Sequence, residues 1–340
     1  MTPQYRTIAT GAGWLDTSAR GRLRFDGPDA ASFLHALVTN DVESLPVGRG
    51  AYAAWLTPQG RMITDLRLLR TAEGVLAEVP GDLASNLVIR FDHLIFAEKV
   101  AVIDESPDTR ALTVFGGRAA QVVADATGIP EARIAELSVL DHVTPAGLRV
   151  VRTDEVAFPN FEIWMPADRW DSVVAAVTAA GAVQVLPATA GAPATIFDAL
   201  RIEAGQPVFG VDMTADTIPL EAGLLDRAIS TTKGCYVGQE VIIRILHRGG
   251  GRVAKHLVQL LAEPDVTEVP DAGTPVFDQG REVGAVTSAA VAPSTGRVIA
   301  LGYVHRDSAE GGRHVTVGAA ISRWTVQRAP AHPLPTANPV

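Results

Sequence analysis

The octapeptide Lys233-Gly234-Cys235-Tyr236-Val237-Gly238-Gln239-Glu240 packs a base, a thiol, a phenol, an amide and an acid around two glycines. Cys235 is the only cysteine of the 340 residues. Glycine permits a sharp turn or the close approach of another group, so this window is expected to face a functional cavity. Two readings of Cys235 are open. Cysteine usually packs as a small apolar filler. Lys233, two residues away, would instead lower the thiol pKa and create a nucleophile if both side chains project into one cavity.

Outward from this window, the composition bounds the class. Hydrophobic residues make up 47% of the chain and charged residues 20%, as in a soluble chain able to bury a core. A net charge of -9 argues against broad, backbone-driven nucleic-acid binding, which needs a basic surface. One cysteine excludes an internal disulfide and any site built from several cysteines. No apolar run is long enough for a membrane span, and the start Met1-Thr2-Pro3-Gln4-Tyr5-Arg6 lacks a secretory pattern, so a cytoplasmic location is expected.

Periodicity gives an α+β body. Arg22 to Phe25 alternates as a strand, and Gly27-Pro28-Asp29 opens a helix carrying Phe33, Leu34, Leu37 and Val38 on one face. Two strands between Ala51 and Leu69 flank the turn Thr57-Pro58-Gln59-Gly60, whose Pro-x-Gly order suits a tight reversal. Further strands are expected at 75–79, 111–115 and 161–165, with helices over 83–91, 118–127, 168–180 and 194–204. Beyond Arg252, short β-rich runs between Gly/Pro turns predict a small barrel or sandwich. Gly249-Gly250-Gly251 lacks the Lys-Ser/Thr ending of a phosphate loop and reads as a hinge. The histidines show no zinc spacing, and no metal site is expected.

Three acids stand out. Glu203 ends a helix, where the dipole disfavours a carboxylate. Either Arg201 or solvent neutralises it, or its two oxygens accept N–H donors from a flat heterocycle. Glu221, in a second Glu-Ala-Gly element, reads as a solvated loop acid, and Asp65 as a polar position on an alternating strand or a catalytic acid.

Taken in order, these motifs resemble the folate-binding YgfZ proteins, within the larger superfamily of the glycine-cleavage T-protein, a tetrahydrofolate-dependent aminomethyltransferase. The octapeptide matches the signature Lys-Gly-Cys-Tyr/Phe-x-Gly-Gln-Glu. Further marks are Gly27-Pro28-Asp29-Ala30, Thr39-Asn40-Asp41-Val42, the Gly60 turn, Arg201 to Gly205, Pro219 to Ala222 and Val283 to Ser288. The resemblance implies a GcvT-like three-domain ring around a central folate cavity. Residues 1–245 would form two interleaved α+β subdomains and 246–328 a C-terminal β-barrel; the proline-rich composition of 329–340 separately predicts a disordered tail. The resemblance also implies tetrahydrofolate or a derivative as cofactor, with Glu203 on the pterin. Tyr236, Gln239, Cys235 and Lys233 would stand in the cavity wall, and Arg244 on the folate glutamate.

Two departures from the T-protein pattern set the expected function. Thr64-Asp65 stands where T-proteins carry an Asp-Asp pair, one acid of which serves the transfer step, and Asn160-Phe161-Glu162 stands in place of Gly-Phe-Glu. With the cysteine, these favour an accessory protein supporting iron–sulfur cluster assembly or repair on client enzymes, including tRNA-modifying ones. Its partners would be folate and iron–sulfur client or assembly proteins, with tRNA contact only indirect or weak and no membrane. Glycine-cleavage activity is disfavoured on this reading, and whether the chain is an enzyme is open. Two alternatives stand beside it: a folate-dependent aminomethyltransferase or one-carbon transferase using Asp65, and a thiol-based redox or sulfur-handling protein using Cys235 and Lys233.

Overall fold

The turn at Thr57–Gly60 forms as its residues dictate. Gly60 takes a φ of 75°, the Gly60 N–H donates to the Thr57 carbonyl at 2.9 Å, and strands Gly50–Leu56 and Met62–Arg70 pair antiparallel on either side. In this computed structural model the described residues are 2–186, 194–248, 250–318 and 322–328; the expected tail, 329–340, and Gly249 of the expected hinge lie outside them.

The hairpin belongs to a five-stranded sheet, in the order Gly50–Leu56, Met62–Arg70, Gly74–Val79, Gly21–Asp26, Ala101–Asp104. Alternation sorts its side chains onto two faces. Leu23, Phe25, Ala53, Trp55, Leu66, Leu68, Val75 and Ala77 point one way, into a core shared with helices Ala30–Leu37 and Ala84–Asp92. Trp55 stacks on Phe91 of the second helix, with ring centroids 4.2 Å apart. The opposite face carries Arg22, Tyr52, Asp65, Arg67 and Glu78.

A six-stranded sheet follows the same logic, in the order Ala182–Gln184, Ala12–Asp16, Thr109–Phe115, Asn160–Pro166, Arg149–Thr153, His142–Val143. Leu112, Val114, Phe161, Ile163 and Met165 pack against helices Ala119–Thr127 and Trp170–Ala179. Its other face supplies Ala111, Val151 and Trp164, which meet Leu69 and Leu76 of the first sheet. The two sheets therefore face each other, with helices outside and a partly charged layer between. Strand Ala12–Asp16 precedes the five-stranded sheet in sequence while belonging to the other one, so the two units interleave.

The β-rich C-terminal run closes into a six-stranded barrel built from Lys255–Ala262, Val298–His305, Arg281–Val291, Pro275–Asp278, His314–Val317 and Ser322–Arg328. Val258, Leu260, Val286, Val304, Val315 and Trp324 fill it. The expected α+β architecture with a C-terminal barrel holds. The helix after Gly27 is shorter than its stripe suggests, eight residues ending at Leu37, because Val38 turns extended.

Candidate functional site

Alternation on strand Met62–Arg70 puts Asp65 and Arg67 on the face that looks toward the second sheet. They line a cavity of about 430 Å³ whose walls also include Arg20, Tyr52, Asp154, Glu155, Phe197, Arg201, Phe209 and Arg227. These residues come from the five-stranded sheet and the turn before it, from the loop after strand Arg149–Thr153, from helix Ile196–Glu203 and from the segments after it.

Asp65 is a buried acid in the wall of this cavity. It is 7% exposed, and its Oδ2 accepts a hydrogen bond from the Tyr52 hydroxyl at 2.8 Å. Its Oδ1 is buried and has no hydrogen-bond partner among the described residues. A buried carboxylate oxygen without a donor is costly, and its natural complement is an N–H or O–H of a ligand. Burial and the neighbouring Asp65 carboxylate raise the Tyr52 pKa well above its ordinary value, which keeps the phenol a donor. The Arg227 guanidinium lies 5.1 Å above the Tyr52 ring, and its Nη2 donates to both oxygens of Asp154 at 2.9 Å. Asn40 ties the two segments together by donating to the carbonyls of Tyr52 at 2.8 Å and Arg227 at 3.2 Å.

Beneath one wall lies a buried ionic layer. Arg67 donates to Glu78 Oε2 at 2.8 Å and to Glu155 Oε1 at 2.5 Å, and Arg20 Nε stands 2.8 Å from Glu78 Oε1. Glu162, from the second sheet, accepts from Trp164 Nε1 at 2.8 Å, and its Oε1, like Oε1 of Glu78, is buried with no hydrogen-bond partner among the described residues. Two buried carboxylates that feel each other's charge resist ionising together, so one keeps its proton. Burial, followed by the Glu78 charge, pushes the Glu162 pKa up to about 8, so Glu162 is the protonated member.

The opposite wall is anchored by the barrel. Arg201 donates to Asp212 Oδ2 at 2.8 Å, and Asp212 Oδ1 accepts from the Thr287 and Ser288 hydroxyls of the barrel at 2.6 and 2.7 Å. Arg201 is thus committed to Asp212, and its neighbour Glu203 is not neutralised by it.

The other residues singled out from sequence sit outside the cavity lining. Glu203 is half-buried and accepts from the Ser294 hydroxyl; burial raises its pKa. The Lys233 ammonium donates to the carbonyls of His35, Val38 (2.7 Å) and Asn40 (3.2 Å), closing the end of helix Ala30–Leu37. Burial depresses the Lys233 pKa to about 8, against the opposing pull of Asp41. Tyr236 is buried in an apolar cluster with Leu56, Met62 and Ile242, 5.0 Å from the Lys233 ammonium, and burial raises its pKa to about 12. Cys235 is exposed. Gln239 opens helix Gln239–His247, and Arg244 on that helix reaches Glu240 at 3.3 Å on the surface.

Gly238 explains why the octapeptide needs glycine. At a φ of 84°, a Cβ there would lie 2.5 Å from the Thr57 carbonyl oxygen and 2.9 Å from Leu56 Cβ. The window docks helix Gln239–His247 on the hairpin turn and caps helix Ala30–Leu37. Of the residues expected to carry chemistry, Asp65 alone lines the cavity.

The cavity's chemistry can be tested against a folate. Its volume lies within the usual range for small-molecule sites, roughly 300–1,000 Å³. Tyr52, Phe197 and Phe209 offer flat apolar surface, and the free Asp65 oxygen offers an acceptor for a ring N–H. Four arginines are matched by five acids along its walls, which suits a largely neutral, donor-rich ring better than a polyphosphate. A reduced pterin fits this donor set.

Residues 2–233 match the family model for the GCVT N-terminal domain, and 255–333 match that for the glycine cleavage T-protein C-terminal barrel domain. The chain belongs to the glycine-cleavage T-protein family. The T-protein relatives include the aminomethyltransferase of Shouchella clausii, 30% identical over 312 residues, covering 90% of this chain and 82% of that protein. The aminomethyltransferase of Bacillus subtilis is 27% identical, covering 92% and 85%. Glycine cleavage system aminomethyltransferase T from Bartonella henselae shares the T-protein fold, with a TM-score of 0.82 at 24% identity over 95% of this chain and 87% of that one. The T-protein match upholds tetrahydrofolate as the cofactor.

These relatives correct one expectation. The reading as an accessory protein for iron–sulfur clusters, with iron–sulfur client or assembly proteins and tRNA among its contacts, gives way, since the relatives matched over nearly the whole chain are aminomethyltransferases. The cysteine and the lost first aspartate had carried that reading; the exposed thiol stands apart from the cavity, and the retained Asp65 lines it. Among the described residues no helix is long and apolar enough to cross a membrane, and no cluster of three or more His, Cys, Asp or Glu could hold a metal ion.

Proposed function

We propose that the chain is a tetrahydrofolate-dependent aminomethyltransferase with Asp65 as its acid–base group. The observation that carries this reading is the buried, unpartnered Asp65 oxygen in a cavity of suitable size. Membership in the T-protein family, with aminomethyltransferases among the relatives, supports the reaction class.

Tetrahydrofolate, when bound, supplies nitrogen atoms that accept or release one carbon. The chain's own residues do the rest. Tyr52 fixes the Asp65 carboxylate through Oδ2 and leaves Oδ1 without a protein donor. That oxygen can hold an ammonium or N–H of the amine partner and take or return its proton as carbon changes nitrogen. Phe209 and Phe197 would flank the ring system, and the burial of Asp65 strengthens its carboxylate's hold on a cationic nitrogen.

The test is one-carbon exchange between methylene-tetrahydrofolate and candidate amines. Wild type should turn over, and Asp65→Asn should lower the rate by about 10²–10⁴, the usual contribution of a positioned acid–base group. Absence of turnover with every amine, or turnover untouched by the substitution, would remove the proposal.

A further inference from the structure

Arg20 is the one arginine of the cavity whose side chain gives no hydrogen bond to any described residue. Its Nε faces Glu78 at 2.8 Å, an ion pair by distance, yet the N–H is directed off the acceptor and remains unpartnered. Neither terminal nitrogen has a protein acceptor among the described residues, whereas Arg67, Arg201 and Arg227 are each engaged with carboxylates. The side chain is 23% exposed, and the part not covered opens into the cavity it lines. A guanidinium presents five donors in a fixed fork, the complement of a carboxylate.

Arg20 and Asp65 line the same cavity. The charges of Glu78, Arg67, Asp65 and Glu155 all act on the Arg20 guanidinium. One ligand could therefore engage both side chains, with its nitrogen at Asp65 and its carboxylate at the terminal nitrogens of Arg20. We propose that Arg20 is a carboxylate-binding subsite that selects an amino-acid-like amine. This rests on the reading of Asp65 as the group at the transferring nitrogen. Given that reading, the folate's own carboxylates are the weaker match. In tetrahydrofolate they lie beyond a benzoyl ring from the one-carbon nitrogens, too far to meet Arg20 while those nitrogens meet Asp65.

The experiment compares binding of two probes that differ only at the carboxylate. Glycine and glycinamide are titrated into the full-length protein with tetrahydrofolate present, followed by ligand-observed NMR. The subsite predicts that glycine binds at least about tenfold more tightly, the scale of a charge-assisted pair. Arg20→Gln should erase that preference, and Arg20→Lys should restore part of it. Equal binding of the two probes to wild type overturns the proposal without any variant, so a folding defect cannot mask the answer. A preference that survives in Arg20→Gln also overturns it. So does an Arg20→Gln variant that loses affinity for tetrahydrofolate diglutamate while keeping the glycine preference, since the carboxylate would then be the folate's. Binding is read without turnover, so failure of the transferase reading, seen as no one-carbon exchange, is a separate result.

Discussion

Replacing Glu162 by glutamine should change how stability depends on pH, and the structure fixes both sign and size. Glu162 is fully buried between Trp164 and Glu78, and its pKa is pushed up to about 8 by burial and then by the Glu78 charge. In the unfolded chain it titrates near 4.5, as an ordinary glutamate. Between these values the folded state holds a proton that the unfolded state has released. The stabilising contribution is complete below the unfolded pKa and is lost as pH rises through about 8. One proton of difference gives a slope of about 1.4 kcal/mol per pH unit, or about 3 kcal/mol from about pH 5.5 to about 7.5. Glu78 does not offset this, because its lowered pKa keeps it ionised in both states across that window. The introduced amide would keep an acceptor for Trp164 without the titration. The assay is urea unfolding followed by tryptophan fluorescence across that pH range, for wild type and Glu162→Gln. Other groups, such as the buried His142, whose pKa burial lowers to about 4, contribute equally to both curves and cancel in the difference. Wild type should lose stability relative to the variant as pH rises. Parallel curves would refute the description of Glu162 as the protonated member of the Glu78–Glu162 pair.

Two predictions concern the octapeptide. Gly238→Ala forces a side chain into a left-handed conformation and against the Thr57 carbonyl; it should cost about 2–4 kcal/mol in urea unfolding. Lys233→Met removes an ammonium from three carbonyls and should destabilise by about 2–4 kcal/mol, whereas exposed Cys235→Ser should stay within about 0.5 kcal/mol and leave one-carbon transfer intact. Loss of transfer on replacing Cys235 would contradict the placement of chemistry at Asp65.

Much of the fold was legible because its elements obey simple periods. The Leu87–Phe91 stripe, the alternation around Thr57–Gly60 and the β-rich runs after Arg252 all appear where expected. Edge strands such as His142–Val143 and Ala182–Gln184 escaped because two or three residues carry no period. Helix Gln239–His247 is hard to read from sequence because its apolar stripe, Ile242, Ile245 and Leu246, spans little more than one turn.

The site was legible only in part. Asp65 was found as an acid on an alternating strand. Arg20, Tyr52, Asp154 and Arg227 converge from distant segments, and no spacing announces them. A signal did exist for the layer below: a lone acid inside an apolar strand, Glu78 in Val75–Val79 or Glu162 in Phe161–Met165, marks a charge that must be buried and paired. The octapeptide's side chains take part in packing: Lys233 caps a helix, Tyr236 fills a core and Gly238 admits a neighbouring turn. Glu203 likewise turns to Ser294 of the barrel segment, a partner 91 residues away that local sequence could not name.

The most direct test of the central claim is the rate of tetrahydrofolate-dependent one-carbon transfer in Asp65→Asn, measured beside its folate affinity. The account predicts a rate lower by about 10²–10⁴ with the protein folded and folate still bound. An undiminished rate in that variant would contradict it.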